Sequence, residues 1–217
     1  MIARAILLAV FGAAMAFVEA AVVAYLRTVL GGGPLFPMRD LPPHLLSIEI
    51  AREAATFVML VSAAVLSVRG AARRMGAFLF LFAVWDVFYY AWLRVATGWP
   101  AGVEEWDILF LIPLPWVGPV WSVLVICAGM AIFGVLFLRM PEEAPFAPGV
   151  WGWVCGLVGT IVVVATYILE WQKIEYGKVV PSDFSLAPWV AGVVLLGGAG
   201  WAALRGSTHN WRRGRLL

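Results

Sequence analysis

Residues 76–96 read GAFLFLFAVWDVFYYAWLRVA, an almost unbroken apolar run with one carboxylate, Asp86, at its centre. A helix rises about 1.5 Å per residue, so about 20 such residues cross the ~30 Å hydrocarbon core of a bilayer. A charge near the bilayer centre costs roughly 2.5 to 3.5 kcal/mol on insertion scales and usually marks a polar interior or a ligand site. The stretch therefore predicts a transmembrane helix that carries a functional group.

Similar apolar runs recur along the chain, at residues 5–26, 45–68, 118–138, 150–170 and 186–204. The sequence is 63% hydrophobic and 13% charged, with a mean hydropathy of +0.93. Soluble domains carry about twice this share of charged residues, so a soluble protein is excluded. We predict an all-α polytopic membrane bundle of six transmembrane helices, a single integral domain over residues 1–217, with the lipid bilayer as its partner.

Basic residues predict the orientation, because short cytoplasmic loops are enriched in Lys and Arg. With the N-terminus inside, the outer side carries Arg27, Arg39, Arg94, Lys173 and Lys178, and the inner side carries Arg4, Arg69, Arg73, Arg74, Arg139, Arg205, Arg212, Arg213 and Arg215. Nine basic residues on the inner side against five on the outer side place both termini in the cytoplasm. We expect the membrane to be a prokaryotic inner (plasma) membrane. Residues 206–217 then form a basic cytoplasmic tail, which topology alone explains without nucleic acid. The first span also resembles a signal peptide, but its apolar run is too long for one, so we expect a retained helix.

Three carboxylates lie at about the same depth in three successive spans: Glu19, Glu53 and Asp86. We expect them to share one cavity, where their oxygens would suit a proton or a hard divalent cation. The sequence does not decide whether the site takes a proton or a divalent cation as cofactor. Only two histidines are present, His44 and His209, which argues against a bis-histidine haem. Neither lysine is central in a span, which argues against retinal.

Span two carries Glu49, Arg52 and Glu53 at i, i+3 and i+4, which places them on one helix face. We expect Arg52 to bridge Glu49 and Glu53, because buried charges are normally paired. Four embedded acids against this one arginine leave about three negative charges unbalanced. Arg27 and Arg94, which each follow an embedded acid by eight residues, could turn inward. A protonated carboxyl or a bound cation would also restore the balance.

Span three adds two hydroxyls near its carboxylate, because Tyr89 and Tyr90 follow Asp86 by three and four residues. Tyrosine can donate a hydrogen bond to a carboxylate or to a ligand oxygen. Arg94 ends the same broad helix face. The predicted ligand-binding set is therefore Glu19, Glu49, Arg52, Glu53, Asp86, Tyr89, Tyr90 and Arg94.

The segment 98–116 between spans three and four is too long and too apolar for a plain turn. It has an acidic start, an apolar run too short to span a bilayer, and several prolines. We predict an interfacial or re-entrant half-helix over the outer mouth of the bundle. It would act either as a lid or as a membrane anchor, with the gate residues Trp99, Glu104, Glu105, Trp106 and Asp107.

The chain divides into a polar site half, about 1–116, and an apolar scaffold half, about 117–205. The scaffold half is rich in glycine, which lets helix backbones approach closely: Gly152, Gly156, Gly192, Gly197, Gly198 and Gly200. We expect these glycines to pack helices within the chain. A homodimer face, or a contact within a larger membrane complex, is the alternative.

Three classes of function remain open from the sequence. The first is an outward-facing site that binds or transports a cation or a proton-coupled small solute, and we favour it. The second is an intramembrane enzyme acting on a lipid or quinone at the outer leaflet, with an acid as general base. The third is a non-catalytic subunit or assembly factor of a membrane complex. Whether the protein is an enzyme is therefore undecided at this point.

Overall fold

The computed structural model describes residues 2–29, 42–177 and 183–214, without the side chains of residues 175–177. Its elements are α1 (Ile2–Val29), α2 (Pro43–Ser67), α3 (Ala71–Thr97), β1 (Trp106–Phe110), β2 (Trp116–Pro119), α4 (Val120–Leu138), α5 (Gly149–Gly177) and α6 (Leu186–Gly214). Six helices in these ranges are long and apolar enough to cross a membrane, as predicted. Arg39, Lys178 and Arg215, which entered the orientation argument, lie outside the described residues.

Helix α3 is the central element of the bundle. It packs against α1, α2 and α4, while α5 packs chiefly against α6. Gly76 on α3 lies against Gly134 on α4, and a Cβ on Gly76 would come within 2.8 Å of the Gly134 carbonyl oxygen. The two backbones therefore touch, and only small residues fit at this crossing.

Helices α5 and α6 approach each other in the same way. A Cβ on Gly192 would lie 3.0 Å from the Gly159 carbonyl oxygen, and one on Gly156 would lie 3.5 Å from the Ala199 Cβ. Intramolecular packing thus accounts for most of the predicted glycines, including Gly152 against Ala202 and Gly200 against Phe133. Added Cβ atoms on Gly197 and Gly198 would meet nothing within 4 Å in the described ranges, so the dimer alternative stays a prediction there.

The segment between α3 and α4 forms a β-hairpin, so the predicted half-helix is wrong. Strands β1 and β2 pair antiparallel, with Asp107 opposite Gly118 and a register irregularity between Ile108 and Phe110. The physical reason lies in the sequence WDILF, whose aromatic and β-branched residues favour a strand. The two prolines that follow, Pro113 and Pro115, cannot donate the backbone hydrogen bonds that a continuing helix needs.

The outward faces of the helices carry large apolar side chains. Leu66 on α2 is 86% exposed, and Trp151 on α5 is 78% exposed. Such residues are costly in water but favourable against lipid, and a membrane-embedded protein would contact lipid at these faces.

Candidate functional site

A cavity of about 350 Å³ lies between α3, the hairpin and the neighbouring helices, and we call it the central cavity. Seven of the eight predicted ligand-binding residues line it: Glu19, Glu49, Arg52, Glu53, Asp86, Tyr89 and Tyr90. The exception is Arg94, whose Nη1 donates hydrogen bonds to the carbonyl oxygens of Gly98 and Pro100 at 2.7 and 2.8 Å. Arg94 therefore stabilises the turn that follows α3, and its role in ligand binding stays a prediction.

Arg52 is the centre of a largely buried ion-pair cluster, with its own side chain 21% exposed. Its Nε and Nη2 donate to Glu49 Oε2 at 2.9 and 2.7 Å, which confirms the pairing predicted from their spacing. Its Nη1 pairs with Glu19 of α1, so the second partner is Glu19 and not Glu53 as predicted. The Thr56 hydroxyl also donates to Glu19, at 3.3 Å. One guanidinium thus ties α2 to α1 and neutralises part of the charge of two acids.

Glu53 accepts hydrogen bonds from the hairpin. The backbone N–H of Leu111, directly after β1, lies 2.9 and 3.0 Å from its two carboxylate oxygens. Glu53 is 7% exposed, and the helix face that presents it follows from its position four residues after Glu49. This carboxylate fastens the hairpin to α2 over the central cavity.

Asp86 is buried near the middle of α3 and has no cationic partner among the described residues. The Cys127 thiol of α4 donates to its Oδ2 at 3.4 Å, a weak interaction for a carboxylate. The ring of Tyr89 packs edge-on against that of Tyr90, with centroids 5.1 Å apart. Asp86 is thus the least compensated acid within the spans.

Asp107 of β1 is a cavity residue and not merely a lid residue, which the sequence analysis missed. It is 3% exposed, and it accepts hydrogen bonds from the Ile108 N–H and the Tyr90 hydroxyl. Its Oδ2 has no partner within the described ranges. Burial raises the pKa of the Asp107 carboxyl to about 7, although the Arg27 guanidinium and these donors oppose the shift. A lone acid between apolar residues of a strand was the signal that could have revealed it.

The other gate residues lie away from the cavity lining. Glu104 is exposed, Glu105 accepts a hydrogen bond from the Ala101 N–H at 2.7 Å, and the Trp106 ring packs on Phe184. Trp99 stacks under the guanidinium of Arg27, whose Cζ lies 4.1 Å from the ring centroid. Arg27 itself lines the cavity and Arg94 does not, so Arg27 is the arginine that turns inward.

Aromatic rings from α3 and the hairpin form one continuous face of the cavity. Phe82 lies 5.4 Å from Trp85, and Phe110 lies 5.3 Å from Trp116, between ring centroids. Trp85 and Phe110, at 6.5 Å, join the two pairs. A mostly aliphatic wall comes from the helices predicted as scaffold, through Val123, Met130, Val163, Val164 and Leu196. The scaffold half therefore contributes eight of the 26 residues that line the cavity.

The scaffold half also holds a polar cluster that the sequence analysis did not single out. Glu170 on α5 is fully buried, and its Oε1 accepts from Lys173 Nζ at 2.7 Å and from the Ser185 N–H at 3.0 Å. One turn earlier, the Tyr167 hydroxyl donates to Ser122 and accepts from the Trp189 indole. These bonds join α5 to α4 and α6, and the spacing of Tyr167, Glu170 and Lys173 at three residues was the available signal.

No group of three or more His, Cys, Asp or Glu side chains in the described ranges is arranged to hold a metal ion. Each of the three acids predicted as metal ligands has its own partner: Arg52 for Glu19, the Leu111 N–H for Glu53 and the Cys127 thiol for Asp86. The geometry therefore lends no support to a divalent metal on Glu19, Glu53 and Asp86. No protein-family profile, curated protein or solved structure matches this chain.

Proposed function

We propose that this membrane protein is a carrier that binds a small cationic solute in the central cavity and exchanges it for protons. The observation that carries the proposal is the charge balance of the cavity lining. Five carboxylates line it, Glu19, Glu49, Glu53, Asp86 and Asp107, against two guanidiniums, those of Arg27 and Arg52. A cavity whose lining has more acids than guanidiniums favours a positively charged ligand.

The uncompensated negative charge of the cavity lies mainly on Asp86 and Asp107. Arg52 forms ion pairs with Glu19 and Glu49, so these three residues mainly stabilise the fold. Asp86 has a thiol as its hydrogen-bond donor, and Asp107 keeps one oxygen without a donor among the described residues. Two buried carboxylates in one cavity resist simultaneous ionisation, so they take up protons or a cation. A cation that enters releases those protons, which is the basis of exchange.

The hairpin gives the cavity a gate. It covers the polar end, where Glu53 holds the Leu111 N–H and Asp107 projects from β1. In the proposed orientation, with both termini cytoplasmic, this gate faces outward. A solute that competes for Glu53 weakens the attachment of the hairpin, so occupancy and opening are linked.

Proton-coupled uptake is tested in proteoliposomes that contain a pH-sensitive dye. Addition of a permanently charged organic cation, (2-phenoxyethyl)trimethylammonium, or of sodium is expected to drive protons across the membrane only when the protein is present. Asp86→Asn should lose most of this signal, because the carboxylate that exchanges the proton is gone. Glu143→Gln, an exposed acid beyond α4, is the matched control and should keep it.

Equal proton movement in protein-free liposomes, or full activity of Asp86→Asn, would refute the carrier. A folded protein with no flux for either cation would instead favour the non-catalytic subunit. Binding of a neutral quinone or lipid with turnover would favour the intramembrane enzyme.

A further inference from the structure

The aromatic face of the central cavity is the first clue to the kind of cation that it takes. Phe82, Trp85, Phe110 and Trp116 form it, and acids lie beside it on α3 and β1. Organic ammonium ions bind favourably over aromatic faces, since the ring quadrupole attracts a cation that is weakly hydrated. A small inorganic ion gains less there, because it must surrender a tight water shell.

Polar atoms left without partners are the second clue. Besides Nε and Nη2 of Arg27, whose guanidinium lies over the Trp99 ring, three buried cavity atoms have no partner in the part of the chain that the structure describes. The indole Nε1 atoms of Trp85 and Trp116 lack acceptors, and Asp107 Oδ2 lacks a donor. All three residues line the central cavity, and Trp85 and Asp107 are 5% and 3% exposed. Buried polar groups are normally hydrogen-bonded, so these atoms point to a ligand with one acceptor for indole N–H groups and one positive charge for the acid.

The size and the aliphatic wall are the third clue. About 350 Å³ falls within the ~300–1,000 Å³ range of small-molecule sites and far exceeds the ~10–15 Å³ that a cavity needs to hold one water. The wall that α4, α5 and α6 contribute is mostly aliphatic, from Val123 on α4 to Leu196 on α6. A bare metal ion leaves most of this space and all of this apolar surface unused.

We infer that the central cavity takes an amphipathic organic ammonium ion with an oxygen acceptor in its apolar body. The ammonium lies between Asp86, Asp107 and the aromatic face, the oxygen accepts from Trp85 or Trp116, and the body fills the aliphatic side. This inference rests on the proposed cation site and names its substrate class. The excess of acids over guanidiniums in the lining, five against two, disfavours multiply charged anions such as phosphates.

Calorimetric titration of the full chain in detergent tests this with four probes. They are (2-phenoxyethyl)trimethylammonium, its carbon analogue (3-phenylpropyl)trimethylammonium, the neutral 2-phenoxyethanol, and sodium. We expect the ether cation to bind tightest. The carbon analogue should bind about threefold to tenfold more weakly, since one neutral hydrogen bond is lost. The neutral alcohol and sodium should bind at least about tenfold more weakly than the ether cation. The alcohol has no positive charge for the acids, and sodium has no apolar body for the rest of the cavity.

Three variants assign the interactions to residues. Asp107→Asn should weaken both ammonium probes by about 10- to 100-fold, as expected for a lost charge-assisted contact. Trp116→Phe and Trp85→Phe keep the aromatic ring and remove the N–H. At least one of them should abolish the preference for the ether oxygen while the carbon analogue still binds, an outcome that misfolding cannot produce. Trp151→Phe, on the exposed face of α5, should change neither affinity.

The outcomes separate this inference from the proposed function. If sodium binds and neither ammonium does, the substrate class is wrong and the cation carrier stands. If 2-phenoxyethanol binds as tightly as its cation, charge is not recognised and both proposals fail. If neither ammonium probe binds while sodium drives proton flux in proteoliposomes, the organic ammonium is again excluded and the carrier stands.

Discussion

Replacing Arg52 by alanine is expected to lower the free energy of unfolding by about 3 kcal/mol or more, the largest effect of any single substitution proposed for this protein. The change leaves Glu19 and Glu49 without their cation, and their side chains are only 12% and 9% exposed. Breaking a buried pair by removing one partner is costly because the remaining charge is desolvated and uncompensated. Thermal unfolding of the purified protein in detergent measures the loss as a lower Tm.

Two further variants control this result. Glu142→Gln breaks the peripheral pair with Arg73, whose closest N and O atoms are 3.7 Å apart, and should change stability by about 1 kcal/mol or less. Neutralising the partners as well, in Arg52→Met with Glu19→Gln and Glu49→Gln, should recover much of the lost stability, because no buried charge then remains alone. An Arg52→Ala protein that melts at the wild-type temperature would show that the cluster is not a structural pair.

The second large effect is expected at the hairpin. Glu53→Gln replaces a carboxylate that accepts the Leu111 N–H with both oxygens by a neutral amide. Glutamine keeps one oxygen that can accept the Leu111 N–H, so the expected loss is the difference between a hydrogen bond to a charged acceptor, about 1.5–3 kcal/mol, and one to a neutral acceptor, about 0.5–1.5 kcal/mol. Local opening at Leu111 should therefore become about 5- to 10-fold more frequent. Hydrogen exchange followed by mass spectrometry reads this directly, as faster deuterium uptake in peptides that cover residues 106–116.

Glu49→Gln is the matched control, because Glu49 lies on the same face of α2 but bonds Arg52 instead of the hairpin. It should leave exchange at residues 106–116 close to the wild-type rate. Unchanged exchange in Glu53→Gln would mean that other contacts hold the hairpin, and the proposed link between occupancy and opening would be lost.

The six helices were predictable because length and apolar composition suffice to define a membrane span. The pairing of Arg52 with Glu49 was predictable for a similar reason, since positions three apart share a helix face. The hairpin was not, because a short apolar run is compatible with a strand as well as with half a helix, and the surrounding structure decides. Asp107 was assigned to the gate alone because its burial depends on how β1 sits over α3.

Arg27 and Arg94 show where sequence reasoning stops. Each follows an embedded acid by eight residues, so spacing alone treats them alike. In the structure Arg27 lines the cavity over Trp99, whereas Arg94 bonds the carbonyl oxygens that end α3. The difference comes from the Gly98 turn, whose carbonyls lie within reach of Arg94. Tertiary contacts of this kind leave no periodic trace in the sequence.

Carbodiimide labelling shows whether a cation occupies the cavity beside Asp86 and Asp107. N,N′-dicyclohexylcarbodiimide reacts with protonated carboxyls in apolar surroundings, and at pH 6 the raised pKa of Asp107, about 7, keeps it largely protonated. Peptide mass spectrometry should then find the adduct on Asp107 or Asp86. (2-Phenoxyethyl)trimethylammonium at about ten times its Kd should slow that labelling about tenfold by mass action. Labelling of both acids at the same rate with and without the cation would contradict the account.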